Sequence, residues 1–218
     1  MKIHESLEQG SQEWLRVRAG KVTASEIGSL LTDAGKPRTG QMPKTYLHTK
    51  IGERIKGRPI DEIGGDWMER GSSLEAEARD WLAFELGEEI REVGFLEGDG
   101  CGASPDGVTP GERGVELKCP SLKVHIGYIL DSTTLLKKYA PQCQFGMWVS
   151  GWTSWTLAAY CPDMPGVIVD VKPSPEWHKA FDQVVPAFIK QVDEGVRKIQ
   201  GLRFGEDELG RMAAEVFG

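Results

Sequence analysis

From Pro175 to Gln200 apolar residues recur every three or four positions, at Trp177, Phe181, Val184, Val185, Phe188, Val192, Val196 and Ile199. That period predicts an amphipathic helix, with a kink at Pro186. Helical spacing also marks the first third of the chain. Ser11 predicts an N-cap for a helix stopped by Gly20, and Thr23 a cap for a second short helix, ASEIGSLL. Pro43 opens a helix to about Lys56, after a turn-rich loop over 36–41. A longer helix is predicted from Trp67 to Leu86, broken near Gly71 and ended by Gly87.

The period then shortens. Strands are predicted over Ile90–Glu97, over Ala103–Thr109 with a sharp kink, over Val115–Cys119 up to Pro120, and later over Thr153–Tyr160 and Val167–Val171. Helices are predicted over 121–130 and 140–150. Helices, then strands, then a helix indicate an α/β (α+β) domain with a small central mixed sheet flanked by helices. No repeat or low-complexity linker divides the chain, so residues 1–218 are expected to form a single domain.

A hydrophobic fraction of 39% with seven Trp argues for a real core and against disorder. No apolar run reaches membrane-span length, and the start, MKIHESLEQG, lacks an apolar signal core, so a cytoplasmic location is expected. Cys101, Cys119, Cys143 and Cys161 are widely spaced with no CxxC, which favours free thiols over zinc or disulfides. The net charge of −7 speaks against a nucleic-acid binder, but the charge is unevenly spread. Between Arg16 and Arg58 ten Lys or Arg stand against three acids, leaving +7 there and −14 over the remainder. One anion-binding face on an acidic body fits this, and so does a solvated, lysine-rich helical surface.

Candidate chemistry sits in the middle of the chain. Asp106, in the segment SPDG, precedes Glu116-Leu117-Lys118 by ten residues. On an extended strand Glu116 and Lys118 share one face and Leu117 takes the other. A neighbouring strand can bring Asp106 beside them. Two carboxylates and one ammonium half-buried together repel and lose hydration, a conflict that a divalent cation resolves. Hard oxygen donors suit Mg²⁺ or Mn²⁺. Such an ion can activate a water and neutralise a phosphate, while a lysine can hold or deprotonate that water. A bare ExK is common as a surface ion pair; SPDG at hairpin spacing raises its weight. Glu75 shares a helix face with Ala78 and Leu82, which makes it either a third metal-site carboxylate or a buried Glu satisfied by other partners.

Longer motifs connect these residues. They are WLRVRAG (14–20), VTASE (22–26), KPRTG (36–40), YLHT (46–49), LEAEAR (74–79), ASPDG (103–107), GVELKCP (114–120), Gln142-Cys143-Gln144, MWV (147–149) and FDQVVPAFI (181–189). In this order and over nearly the whole chain, they resemble the family of phage lambda exonuclease and the YqaJ-like viral recombinases, a branch of the PD-(D/E)xK nucleases. The resemblance implies a restriction-endonuclease-like core and a Mg²⁺-dependent exonuclease, with Mn²⁺ able to substitute and a two-metal site. Asp106, Glu116 and the Leu117 carbonyl would bind metal, with Glu75 as a further acidic ligand. Lys118 would serve the water, and Gln142 and Gln144 would border the scissile phosphate. Arg18 and Ser25 would hold a 5′-phosphate, Arg38 would contact DNA, and Met42 and Met68 would wedge the terminal base pairs apart. The basic stretch 16–58 would line the path of the DNA. The family form is a homotrimeric ring that digests one strand of linear double-stranded DNA 5′ to 3′ and hands the other to a single-strand annealing protein. Two competing readings use the same residues: a structure-specific or restriction-like endonuclease, and a catalytically silent DNA-binding recombination scaffold.

Overall fold

The computed structural model describes residues 1–60 and 66–202, with the side chains at 66–73 outside that description. Its elements run β1 (Lys2–His4), α1 (Gln12–Arg18), β2 (Val22–Thr23), a 3-10 helix (Ala24–Ser29), α2 (Gln41–Lys56), α3 (Asp66–Leu86), β3 (Phe95–Glu97), β4 (Cys101–Ala103), β5 (Gly107–Val108), β6 (Gly114–Lys118), α4 (Leu122–Leu130), α5 (Ser132–Ser150), β7 (Trp155–Ala159), β8 (Val167–Val171) and α6 (Pro175–Gly201). The strands form two four-stranded mixed sheets, ordered β1-β3-β4-β2 and β5-β6-β7-β8. This is the mixed α/β architecture with flanking helices that the sequence predicts, with the sheet divided in two.

The division explains why two predicted strands are shorter than their sequence pattern. Along Ile90–Glu97, Arg91 bridges Val108 of the second sheet, whereas Phe95–Glu97 pair with β1 in the first. Along Ala103–Thr109, Ala103 pairs with Leu96 in the first sheet and Gly107 with Val115 in the second. Each segment passes from one sheet to the other. The crossing in the latter falls at Ser104-Pro105-Asp106, and Pro105 has no N–H with which to extend a ladder. Asp106 therefore lies on the seam between the sheets.

Several boundaries shift for local reasons. The Ser11 hydroxyl accepts from Trp14 N (3.1 Å), and Gly20 follows α1 with φ +71°, as predicted. Thr23 does not cap a helix. Its hydroxyl donates to Glu26 Oε2 (2.7 Å), and the next segment is a six-residue 3-10 helix. The helix predicted from 140 begins at Ser132, because Asp131 caps it through Thr133 N (3.0 Å), and Pro141 lies inside it. Helix α3 runs through Gly71 without a break. Strand β1 was not anticipated; a three-residue strand is too short to show a period.

Three apolar clusters hold the layers. One joins the first sheet to α5, α2 and α6 through Val22, Ile27, Phe145, Phe181 and Val185. A second lies between α5 and the second sheet, around Leu135, Met147, Trp155 and Leu157. The third packs α3 on the opposite face of that sheet through Ala78, Leu82, Val115, Leu117 and Ala158. Trp155 is fully buried against Gly114 and Gly146, and a Cβ at either glycine would run into its ring. Close packing leaves no room for that displacement. Gly114→Ala and Gly146→Ala should each destabilise the fold by about 1–3 kcal/mol, read as a lowered midpoint in urea unfolding. An unchanged midpoint would show that the indole has space to move.

Candidate active site

Strand β6 is flanked by β5 and β7, with Glu116 opposite Leu157 and Lys118 opposite Ala159. The alternation works as the sequence predicts. Leu117 is buried in the cluster under α3, while Glu116 and Lys118 turn towards α5. Asp106 is fixed on the seam by its backbone and its side chain. Its N–H donates to Val115 O (2.9 Å), and its Oδ2 accepts from Leu117 N (2.6 Å).

Glu116 is only 2% exposed. Its Oε1 accepts from Gln142 Nε2 of α5 (2.7 Å) and from the Lys118 ammonium. Burial pushes its pKa from 4.5 to about 8; Lys118 opposes that rise and Asp106 adds to it. Asp106 is also raised by burial, with Lys118, the Leu117 N–H and Arg79 pulling it back. Burial works against the Lys118 charge, but Glu116 and Asp106 more than offset it and leave the ammonium held above its ordinary range. Glu75, on α3, is raised by burial and then by repulsion from Asp106. One lysine and one arginine thus face three mutually repelling carboxylates.

Two residues to which the sequence assigned no role complete the site. Arg79 donates from Nε to Asp106 O (3.0 Å) and from Nη2 to Glu75 Oε1 (3.1 Å), and it also pairs with Glu92. Its i+4 spacing from Glu75 was the available signal. The Tyr139 ring lies 5.0 Å from Lys118 Nζ, one helical turn before Gln142 on α5.

Among the described residues, no three His, Cys, Asp or Glu side chains gather closely enough to enclose one ion. The donors nevertheless suit a hard divalent cation. Asp106 and Glu116 supply buried carboxyl oxygens, and burial raises the pKa of both by more than the neighbouring cations lower it, so a cation is the counter-charge that would let both ionise.

Other predicted residues divide into those the structure brings together and those it does not. Arg18 donates to Ser25 Oγ (3.4 Å) and to Ser104 Oγ (2.9 Å), with its guanidinium carbon 4.1 Å over the Trp14 ring. Trp14 Nε1 also donates to Ser104 Oγ (3.0 Å). Arg18 and Ser25 therefore meet, and Ser104 ties Arg18 to the segment that leads into Asp106. Glu26 pairs with Lys50 Nζ (2.9 Å), and among the described residues Arg18 forms no ion pair with a carboxylate. Gln144 is not at the site. It lies two residues from Gln142 on a helix, about 200° around the axis, and its amide is held by Lys172 O (2.7 Å) and Ser174 N (2.8 Å). Arg38 turns its Nε inward to Gly28 O (2.6 Å) and Leu31 O (3.1 Å), closing its own loop. Met42 is 52% exposed at the start of α2, and the Met68 side chain lies outside the described residues.

The basic stretch 16–58 is also partly absorbed. Lys21 pairs with Glu97 (3.1 Å) and Arg54 with Asp193, acids outside the stretch, while Lys50 takes Glu26 and Glu53, which are already counted in the +7. Its sequence charge therefore overstates the cationic surface it offers a ligand. All four cysteines are free thiols. Among the described residues no helix is long and apolar enough to cross a membrane.

The sequence profile of the YqaJ-like viral recombinase domain matches residues 13–153, a span that holds Arg18, Ser25, Glu75, Asp106, Glu116, Lys118 and Gln142. The chain belongs to this family. Its structure matches an alkaline exonuclease of Laribacter hongkongensis with a TM-score of 0.75 at 27% identity, over 94% of this chain and 100% of that one. The same exonuclease in complex with dAMP matches equally well. A phage related exonuclease from Haemophilus somnus 129PT shares the fold with a TM-score of 0.68 at 16% identity, over 82% of this chain and 96% of that one. ExoD of Escherichia coli (strain K12) is 37% identical over 71 residues, which is 31% of this chain and 80% of ExoD.

The raised Glu116 pKa has a consequence for stability. In the metal-free folded protein Glu116 keeps its proton up to about pH 8, whereas in the unfolded chain it loses it near 4.5. The stability this contributes is complete below the lower value and is lost as pH rises through the higher one. Lys118, raised above 10.5, adds no slope in that window. In EDTA the melting temperature of the protein should therefore fall behind that of Glu116→Gln as pH rises from about 5 to about 8. A difference that stays constant with pH would contradict the buried, protonated carboxyl.

Proposed function

We propose that this protein is a metal-dependent exonuclease that digests one strand of linear double-stranded DNA from its 5′ end to mononucleotides, leaving a 3′ single-stranded overhang for recombination by annealing. The observation that carries this reading is the convergence of Asp106, Glu116 and Lys118 on the sheet seam, where carboxylates are buried beyond what the neighbouring cations balance. Likeness to an alkaline exonuclease that has been captured with dAMP, a deoxynucleoside monophosphate, supports it.

In this reading Asp106, Glu116 and the Leu117 carbonyl hold Mg²⁺, or Mn²⁺ in its place, and Glu75 serves a second ion. The bound ion supplies acidification of a water and neutralisation of charge on the phosphate. Asp106 is oriented for this by the Leu117 N–H and Glu116 by the Gln142 amide. Lys118, held as an ammonium, positions the attacking water and stabilises the charge that develops on the phosphate. Arg18 and Ser25 hold the 5′-phosphate, a guanidinium being able to engage two oxygens at once. Ser104 bonds Arg18 and precedes Asp106 by two residues, so the terminal-phosphate pocket and the metal site share one short segment of backbone. Met42, and Arg38 through the loop it closes, border the duplex. The assembly in this reading is a homotrimeric ring around DNA, with a single-strand annealing protein as its partner.

The decisive experiment compares linear and covalently closed circular duplex DNA, each with Mg²⁺ and with EDTA, followed by end-labelling. Linear DNA alone should be degraded, and only with Mg²⁺. Asp106→Ala should abolish degradation, and Lys118→Ala should slow turnover by about two to four orders of magnitude. Cleavage of the circle would favour an endonuclease, and inert wild-type protein a recombination scaffold.

A second measurement addresses the end of the DNA. Initial rates on 5′-phosphate and 5′-hydroxyl duplexes should differ for the wild type, and Arg18→Ala should narrow the gap by slowing the phosphorylated substrate. Equal wild-type rates would remove the pocket assignment and leave the metal site standing.

A further inference from the structure

Glu116 Oε1 accepts from Gln142 and from the Lys118 ammonium. If Glu116 ligates a divalent cation, as the proposed function requires, the oxygen that holds Lys118 in the metal-free protein is no longer fully available to it. Something else must keep the ammonium in place, because a lysine side chain released into a partly open site regains several rotatable bonds. The structure shows what stands there. Nζ lies 5.0 Å from the centroid of the Tyr139 ring, within the range at which an ammonium is attracted to an aromatic face. Tyr139 is half-buried on α5, three residues before Gln142, so one helical face presents the ring to Lys118 and the amide to Glu116.

We propose that Tyr139 is a positioning residue for Lys118, and that its ring face holds the ammonium when Glu116 is engaged elsewhere. The ring does this and the hydroxyl does not. A second ammonium, Lys138, also lies 5.0 Å from the Tyr139 centroid, on the exposed side of α5. Among the described residues the phenol oxygen makes no hydrogen bond to Lys118, whose ammonium bonds to Glu116. A cation–π contact is worth about 0.5–2 kcal/mol, or roughly two- to thirtyfold in the fraction of lysines correctly placed.

Two variants separate the ring from the hydroxyl. Tyr139→Phe should keep kcat within about twofold of wild type, and Tyr139→Leu should lower it by about tenfold with KM for duplex DNA unchanged. Tyr139→Met provides a second ring-less variant should the leucine variant fail to fold. An independent signature needs no turnover. In NMR spectra of the metal-free protein the Lys118 Cε and Hε resonances should carry an upfield ring-current shift, kept in Tyr139→Phe and lost in both ring-less variants. A phenylalanine variant as slow as the leucine one would overturn the proposal, as would wild-type kcat in the ring-less proteins or unmoved Lys118 resonances. Wild-type protein without nuclease activity would sink the exonuclease reading instead, and the ring-current shift would then decide the placement of Lys118 by itself.

Discussion

The arrangement of this molecule depends on keeping the Glu116 carboxylate out of water. A carboxylate that is 2% exposed is tolerated only with hydrogen-bond donors, a counter-charge or a proton, and Glu116 draws on all three. Its surroundings follow from that requirement. Helix α5 has to pack across β6 so that Gln142 can donate, Lys118 has to lie two residues away on the same face, and the pKa has to rise. Leu117 between them anchors the strand on the opposite side against α3, so the polar face is held by an apolar one.

The two-sheet division is what brings Asp106 to this point. In a continuous strand its side chain would lie along one sheet face at the pleat spacing. At the crossing it leaves the ladder, keeps one backbone bond to Val115, and turns its carboxylate to the Leu117 N–H. The same crossing carries Ser104, which ties Arg18 and Trp14 to the strand end. A short stretch, Ser104-Pro105-Asp106, therefore couples the two groups of polar residues. Arg79 fastens it from the α3 side through Asp106 O.

What the sequence revealed and what it concealed divide along physical lines. Period-two alternation put Glu116 and Lys118 on one face correctly, because a strand leaves no other choice. The long period of α6 and the Ser11 cap were equally local, and both hold. The crossings between Arg91 and Phe95 and at Pro105 were hidden because hydropathy reports burial and not which sheet does the burying. The start of α5 at Ser132 was masked by Pro141, a residue that ordinarily marks a boundary. Gln144 was misplaced through its closeness in sequence to Gln142, although two positions on a helix point nearly opposite ways. The resemblance supplied roles for residues such as Arg18 and Ser25, and the structure places those two in contact without fixing what they bind.

Charge was the feature most easily misread. A surplus of +7 over residues 16–58 suggests a cationic face, but two of its cations find their partners far along the chain. Glu97 meets Lys21, and Asp193 meets Arg54. The buried Lys50 is held between Glu26 and Glu53 and braces the turn after β2 against α2. These cations serve architecture, and they fix the frame in which Arg18 stands apart. Arg18 is bonded to two hydroxyls and stacked on Trp14, with no carboxylate acceptor among the described residues. Hydroxyls orient a guanidinium without cancelling its charge. An arginine held in that way keeps its attraction for an anion, whereas one paired with a carboxylate has largely given it up. Its bond to Ser104, two residues before Asp106, more than the basic character of the surrounding sequence, is the physical ground for the phosphate pocket proposed beside Asp106 and Glu116.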